Sequence, residues 1–167
     1  LMGLFSRKKT DDISETTDEI QENKISTVSH GMFNLRRLCV EDVAIPKAEI
    51  VSVSADIKKS ELVSVFRESG LTRLPVYEGT LDNPIGMVHL KDFTLGYAFA
   101  KKNTFKIKDI LRPLLYVPAS MTIGVLLTKM QSDRRHLALV IDEYGGVDGL
   151  VTIEDLIEQV IGEIEDE

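Results

Sequence analysis

The chain has 167 residues, 43% of them hydrophobic, and a formal net charge of −7, which allows one medium domain or two small ones with a sizeable core. No apolar run approaches the roughly 18 to 20 residues of a membrane-spanning helix, "LALVI" at Leu137–Ile141 being typical of the longest, so the chain itself reads as neither channel nor carrier. The acidic balance, with no basic cluster to offset it, argues against a nucleic-acid partner, and the single cysteine, Cys39, excludes an internal disulfide.

The first thirty residues are polar, without the charged start and apolar core of a secretory signal, and together with the lone cysteine they predict a cytoplasmic protein. Leu1 ahead of Met2 reads as an expression scar. The segment "RKKTDDISETTDEIQENKISTVS" holds isolated isoleucines among charged and hydroxyl residues, too few apolar groups to offset ordering, and predicts a flexible or partly helical arm over residues 1–38.

From Asp42 the texture changes and an internal repeat emerges. Asp42 and Pro46 align with Asp109 and Pro113; after a small gap Val53 falls on Val117, Val76 on Val140, Gly86 on Gly149 and Asp92 on Asp155. The first copy, residues 39–104, begins with a strand over Ile50–Ser54 and a helix started by Asp56 or Ser60, with Leu62, Val63 and Phe66 on one face and Gly70 as its stop. "RLPVY" and "PIGMVHL" read as strands joined by the turn "EGTLDN", and a second helix starts near Lys91. The second copy, residues 105–167, repeats the plan: a helix started by Ser120, strands "LALVID" and "GLVTI" around the turn "EYGGVD", and a closing acidic helix over Glu154–Ile164. Each unit is strand, helix, strand, strand, helix: a mixed α/β (α+β) fold of two pseudo-symmetric repeats, each a three-stranded sheet with two helices. About sixty residues alone make a marginal core, so the repeats are expected to pack face to face and leave clefts between them, where small ligands bind.

The doubled pattern, a proline a few residues after an Asp-Val/Ile start and a Gly-apolar-x-Thr/Ser-x-x-Asp close, resembles the cystathionine-β-synthase (CBS) domain pair. More narrowly, "LTRLPVYEGTLDNPIGMVHLKDF" and "HLALVIDEYGGVDGLVTIEDLIEQVIGEIEDE" are similar to the HlyC/CorC family of magnesium and cobalt efflux-associated proteins, also labelled hemolysin C-like. Members often carry a membrane domain ahead of the pair and a small domain after it; by that comparison the chain reads as a soluble, stand-alone form, trimmed after "GEIEDE".

Thr152 and Asp155 admit two uses. As a helix cap, the threonine hydroxyl takes a free backbone N–H and the acid sits at the positive helix end. As a ligand site, the same N–H groups and hydroxyl attract a phosphate, and the carboxylate accepts from the 2′ and 3′ hydroxyls of a ribose. The resemblance implies the second use, with an adenosine nucleotide (ATP, ADP or AMP) as ligand and Mg²⁺ bridging its phosphates. It further implies that Ile50, Thr72, Arg73 and Pro75 complete that pocket, with Arg73 toward phosphate. A second site would use Asp92, His89 and His136, weakened because His89 stands where the other copy has a threonine.

No nucleophile-and-base pair, metal-ligand spacing among His30, His89 and His136, or Gly-x-x-x-x-Gly-Lys loop is present, so neither catalysis nor a protein-bound metal is expected. Cys39 reads as a buried small apolar residue. By resemblance the module forms a homodimer and regulates divalent-cation efflux through a membrane transporter, at the inner face of the membrane. A structural interaction module without ligand is the alternative, and a cytolysin a weaker one, there being no long amphipathic or apolar segment.

Overall fold

A computed structural model describes residues 16–22, 31–97 and 105–161. Residues 16–22 and 31–37 are helical. Beyond them come α1 (Val40–Val43), β1 (Ile45–Pro46), β2 (Val53–Ser54), α2 (Lys59–Ser69), β3 (Arg73–Tyr77), β4 (Pro84–His89) and α3 (Leu90–Tyr97). The second repeat supplies β5 (Leu115–Pro118), α4 (Ile123–Asp133), β6 (Leu137–Ile141), β7 (Val147–Thr152) and α5 (Ile153–Ile161), and single 3-10 turns occupy Lys47–Glu49 and Ile107–Ile110.

The expected mixed fold of two alike units is present. In each, a short strand runs parallel to the middle strand, which pairs antiparallel with the last: β2 on β3 on β4, and β5 on β6 on β7. Both β-hairpins carry an irregularity at the same place, between Val76 and Tyr77 and between Val140 and Ile141. The helices fill one face of each sheet, through Leu62, Phe66 and Phe93 in the first repeat and Ile123, Leu126, Met130 and Leu156 in the second.

The sheets are not equal, and the reason is an exchange. The segment leading into the first repeat pairs with the second: Ile45 lies opposite Leu150 and Pro46 opposite Gly149, so that sheet has four strands in the order β1-β7-β6-β5. Its neighbour Val40 is fully buried in the second repeat's core, with Val117, Ile123 and Leu156. The segment leading into the second repeat does the converse. Arg112 bridges Met87 on β4, and Ile107 is buried among Val53, Leu62 and Leu74 of the first core. Each such buried aliphatic side chain contributes about 1.5–3 kcal/mol, so the exchange ties the two units by their interiors.

Two glycines make room for it. A Cβ on Gly149 would meet the carbonyl oxygen of Ile45 at 2.8 Å, and one on Gly86 would meet Leu111 Cβ at 3.0 Å and the Arg112 carbonyl oxygen at 3.1 Å. These are the glycines the repeat alignment superposes, and each occupies the point where the other repeat's lead crosses. Between the sheets an apolar seam gathers Met87 from β4 and Leu137, Leu139, Val147 and Leu150 from β6 and β7, with Ile45, Ile50 and Leu114 against it. The turns are joined too: Asp82 Oδ1 accepts from Lys47 Nζ at 2.7 Å and from the Val147 N–H at 3.0 Å.

Several boundaries differ from expectation. The first strand is Val53–Ser54, not Ile50–Ser54, because a 3-10 turn over Lys47–Glu49 precedes it and Ile50 turns into the seam. Neither Asp56 nor Ser60 caps α2; its N-cap is Lys58, without a side-chain hydrogen bond. The N-cap position of the second repeat's first helix is Thr122, not Ser120, and it too makes no side-chain hydrogen bond. Gly70 ends α2 in the left-handed conformation, φ 67°, as expected. Cys39 is half-buried rather than buried. Residues 162–164 of the expected closing helix and most of the 1–38 arm lie outside the described residues.

Gly149→Ala is expected to lower stability by about 1–3 kcal/mol, because the methyl group must displace backbone rather than a flexible side chain. Urea unfolding measures this; a loss below roughly 0.5 kcal/mol would mean that β1 can retreat from β7.

Candidate functional site

Each hairpin ends by feeding its last strand directly into a helix, β4 into α3 and β7 into α5, so each repeat presents one helix N-terminus at the end of its sheet. Both junctions are fixed by the same backbone bond. The Leu90 N–H donates to the Thr72 carbonyl at 2.8 Å, and the Ile153 N–H to the His136 carbonyl at 2.9 Å. Thr72 and His136 are therefore equivalent positions, each beside the helix start of its own repeat.

At the second end, Thr152 and Asp155 are half-buried and form a reciprocal capping box. Thr152 Oγ1 accepts the Asp155 N–H at 3.2 Å, and Asp155 Oδ2 accepts the Thr152 N–H at 3.4 Å. The cap does not exhaust either side chain. The threonine hydroxyl proton and Asp155 Oδ1 have no hydrogen-bond partner among the described residues, nor has the Glu154 N–H in the same turn. No basic side chain is bonded to Asp155 among the described residues. What remains is one carboxylate oxygen, one hydroxyl donor and one amide donor at the positive end of a nine-residue helix. That set suits a polar ligand with both donor and acceptor groups.

The first end is built of the same parts and filled differently. His89 Nδ1 accepts the Lys91 N–H at 2.9 Å, so the imidazole serves as the cap's acceptor. Burial, then the charges of Arg73 and Arg112, hold His89 below its ordinary pKa and keep it neutral for that task. Asp92 is bound bidentately by Arg112, Nε donating to Oδ2 at 2.5 Å and Nη2 to Oδ1 at 2.8 Å. The Arg112 guanidinium holds the Asp92 carboxyl below its usual range.

On the first repeat's sheet Arg73 is paired across the strands with His89 and reaches Thr72 Oγ1 at 3.4 Å. His136 adjoins Thr152 and α5, through its carbonyl. Pro75 is buried opposite Met87, and Ile50 packs on the seam with Leu150, two residues ahead of Thr152. Arg112 went unnoticed in the sequence; its signal was a basic residue in the second repeat's lead where the alignment sets Ile45 in the first. Among the described residues no group of three or more His, Cys, Asp or Glu is placed to hold a metal, and no helix is long and apolar enough to cross a membrane.

Comparison with known proteins gives these ends a context. A model of the CBS domain matches residues 40–96 and 107–162. The chain is 39% identical to a possible hemolysin C of Rickettsia akari and 37% identical to hemolysin C of Rickettsia prowazekii, each over 166 residues, 99% of this chain and 52% of the other. The chain therefore spans about half the length of the curated relatives it matches. The structure of the CBS domain of a bacterial CNNM/CorC family Mg²⁺ transporter in complex with ATP is similar at 31% identity, covering 84% of this chain and 99% of that one with a TM-score of 0.78. A CBS-domain pair with bound AMP from Klebsiella pneumoniae is similar at 28% identity, covering 75% and 100%, with a TM-score of 0.66.

Two measurements probe the ends. Thr152→Ala removes the acceptor of the cap and is expected to cost about 0.5–2 kcal/mol of stability, by urea unfolding. The depressed Asp92 carboxyl contributes stability that is present above its unfolded value, near pH 4, and is lost as pH falls through the lower folded value. The stability difference between wild type and Asp92→Asn should hold steady from neutral pH to about pH 5 and narrow below roughly pH 4.

Proposed function

The chain belongs to the CBS domain family, two copies of that domain forming its fold, and on that premise we propose that it is a regulatory module that binds an adenosine nucleotide at the Thr152–Asp155 end. The observation that carries this reading is the half-buried Asp155 at the start of α5, with Oδ1 unengaged and no cation bonded to it among the described residues. A carboxylate oxygen of that kind accepts from a ribose hydroxyl, while the Thr152 hydroxyl and the Glu154 N–H donate to a phosphate oxygen. Ile50, at the seam beside Leu150, offers apolar surface for a base. Related CBS domains with bound ATP and bound AMP support the ligand class.

Glu154 and Asp155 make this end acidic, so a polyphosphate would bring Mg²⁺ to offset its charge against them. Thr72, Arg73 and Pro75 of the first repeat remain part of the proposed pocket, with Arg73, which has no carboxylate bonded to it among the described residues, toward phosphate.

The output is control of divalent-cation transport, magnesium or cobalt, through a membrane partner, with the module working as a homodimer in the cytoplasm at the membrane's inner face. Similarity to a Mg²⁺ transporter's CBS domain supports this. The exposed face of α4, where Val125 is 56% accessible, gives a second copy apolar surface to cover.

Ligand at about a hundred times its dissociation constant adds roughly 2.7 kcal/mol and raises the melting temperature by about 5–10 °C. A thermal scan with ATP, ADP and AMP, with and without Mg²⁺, is expected to give such a shift for at least one of them; no shift with any would leave a structural interaction module. Asp155→Ala should weaken nucleotide binding about ten- to a hundredfold, by loss of hydrogen bonds to a charged group. Calorimetry reads this, and Asp155→Asn keeps an acceptor for the cap should the alanine variant fold poorly. Unchanged affinity in a folded variant would refute the assignment.

A further inference from the structure

The two helix ends are equivalent in topology, yet what meets the acid differs. Both oxygens of Asp92, the pair of acceptors a vicinal diol requires, are taken by Arg112. The guanidinium is held there by its own backbone: the Arg112 N–H donates to the Met87 carbonyl at 2.8 Å, and the Met87 N–H to the Arg112 carbonyl at 2.9 Å. Met87 lies on β4, two residues before the junction at His89, so the exchange of leading segments delivers Arg112 to the first-repeat end. The equivalent exchange on the other side delivers Ile45 opposite Leu150, and with it no charge for Asp155.

The geometry points to Arg112 as a built-in occupant of the first-repeat end, closing Asp92 to a ribose and limiting each chain to one nucleotide, held at Asp155. This rests on the nucleotide reading above. A diol approaching Asp92 would have to break two charge-assisted hydrogen bonds and leave a guanidinium unpaired. One approaching Asp155 meets an oxygen with no partner among the described residues and, on the other, a 3.4 Å bond from an amide. His89 closes the first end further, because its Nδ1 is already taken by the Lys91 N–H.

Replacing Arg112 by the residue at the equivalent position, Arg112→Ile, keeps the backbone bridge and frees Asp92. Calorimetric titration of the whole chain with ATP and MgCl₂ is expected to give one site per chain for wild type and two for Arg112→Ile. Adding Asp92→Ala to that variant should return the count to one. Arg112→Gln serves as a second variant if the isoleucine unfolds the chain, with folding followed by circular dichroism. A count of one in both folded Arg112 variants overturns the proposal, as does a wild type with two sites of which Asp92→Ala removes one. If wild type binds none, the nucleotide reading fails by itself; a site gained in Arg112→Ile then still supports the clasp, and none gained overturns it.

Discussion

Each repeat completes the other's sheet, and the rest of the molecule follows from that crossing. A unit of about sixty residues buries too little surface to stand firmly alone. Here the deficit is met by exchange: Val40 and Ile45 go to the second repeat, Ile107 and Arg112 to the first. The crossing points are tight enough to demand Gly149 and Gly86. Because the leads enter cores rather than resting on surfaces, the two units share interior packing, and the seam of Met87, Leu139 and Leu150 is sealed by the segments that cross it.

The same crossing makes the two helix ends unlike. Symmetric backbones deliver different side chains, a guanidinium to Asp92 and an isoleucine to the strand ahead of Asp155. At one end a charge finds its partner within the chain; at the other a carboxylate keeps one oxygen without a partner among the described residues. Capping and ligand binding are not rivals at Thr152. The hydroxyl oxygen accepts within the helix while its proton has no acceptor among the described residues, so the residue that starts the helix keeps a donor in reserve for the proposed ligand.

The repeat, the mixed fold and the Thr152–Asp155 pairing were legible in the sequence because they rest on local pattern: period-two strands, Gly70 where the chain must turn left-handed, and a four-residue cap. The partners of the leading segments were not. Nothing in "VAIPK" says that Ile45 pairs with Leu150 rather than with its own repeat's strands, since edge pairing is decided by tertiary closure. For the same reason the pairing of Arg73 with His89 across its own sheet could be read from the hairpin pattern, while what crosses from the other repeat could not. The two long helices show the limit of punctuation signals. One ends at a glycine, but its sister ends at Arg134 in the same left-handed conformation, φ 54°, with no glycine to announce it.

Helix α5 is gripped at its far end as well. Asn34 donates to the Gln159 carbonyl at 3.2 Å, and Gly31 presses on the Val160 carbonyl so closely that even a methyl group would collide with it. The opposite side of this lead is seated on α4, where a Cβ on Gly124 would come within 2.7 Å of the Leu35 carbonyl oxygen. A rod of nine residues is held this way at both ends. Its last turn is fixed by Asn34 and Gly31 of the leading helix and its first turn carries Asp155, so the position of that carboxylate is set from both ends of one helix.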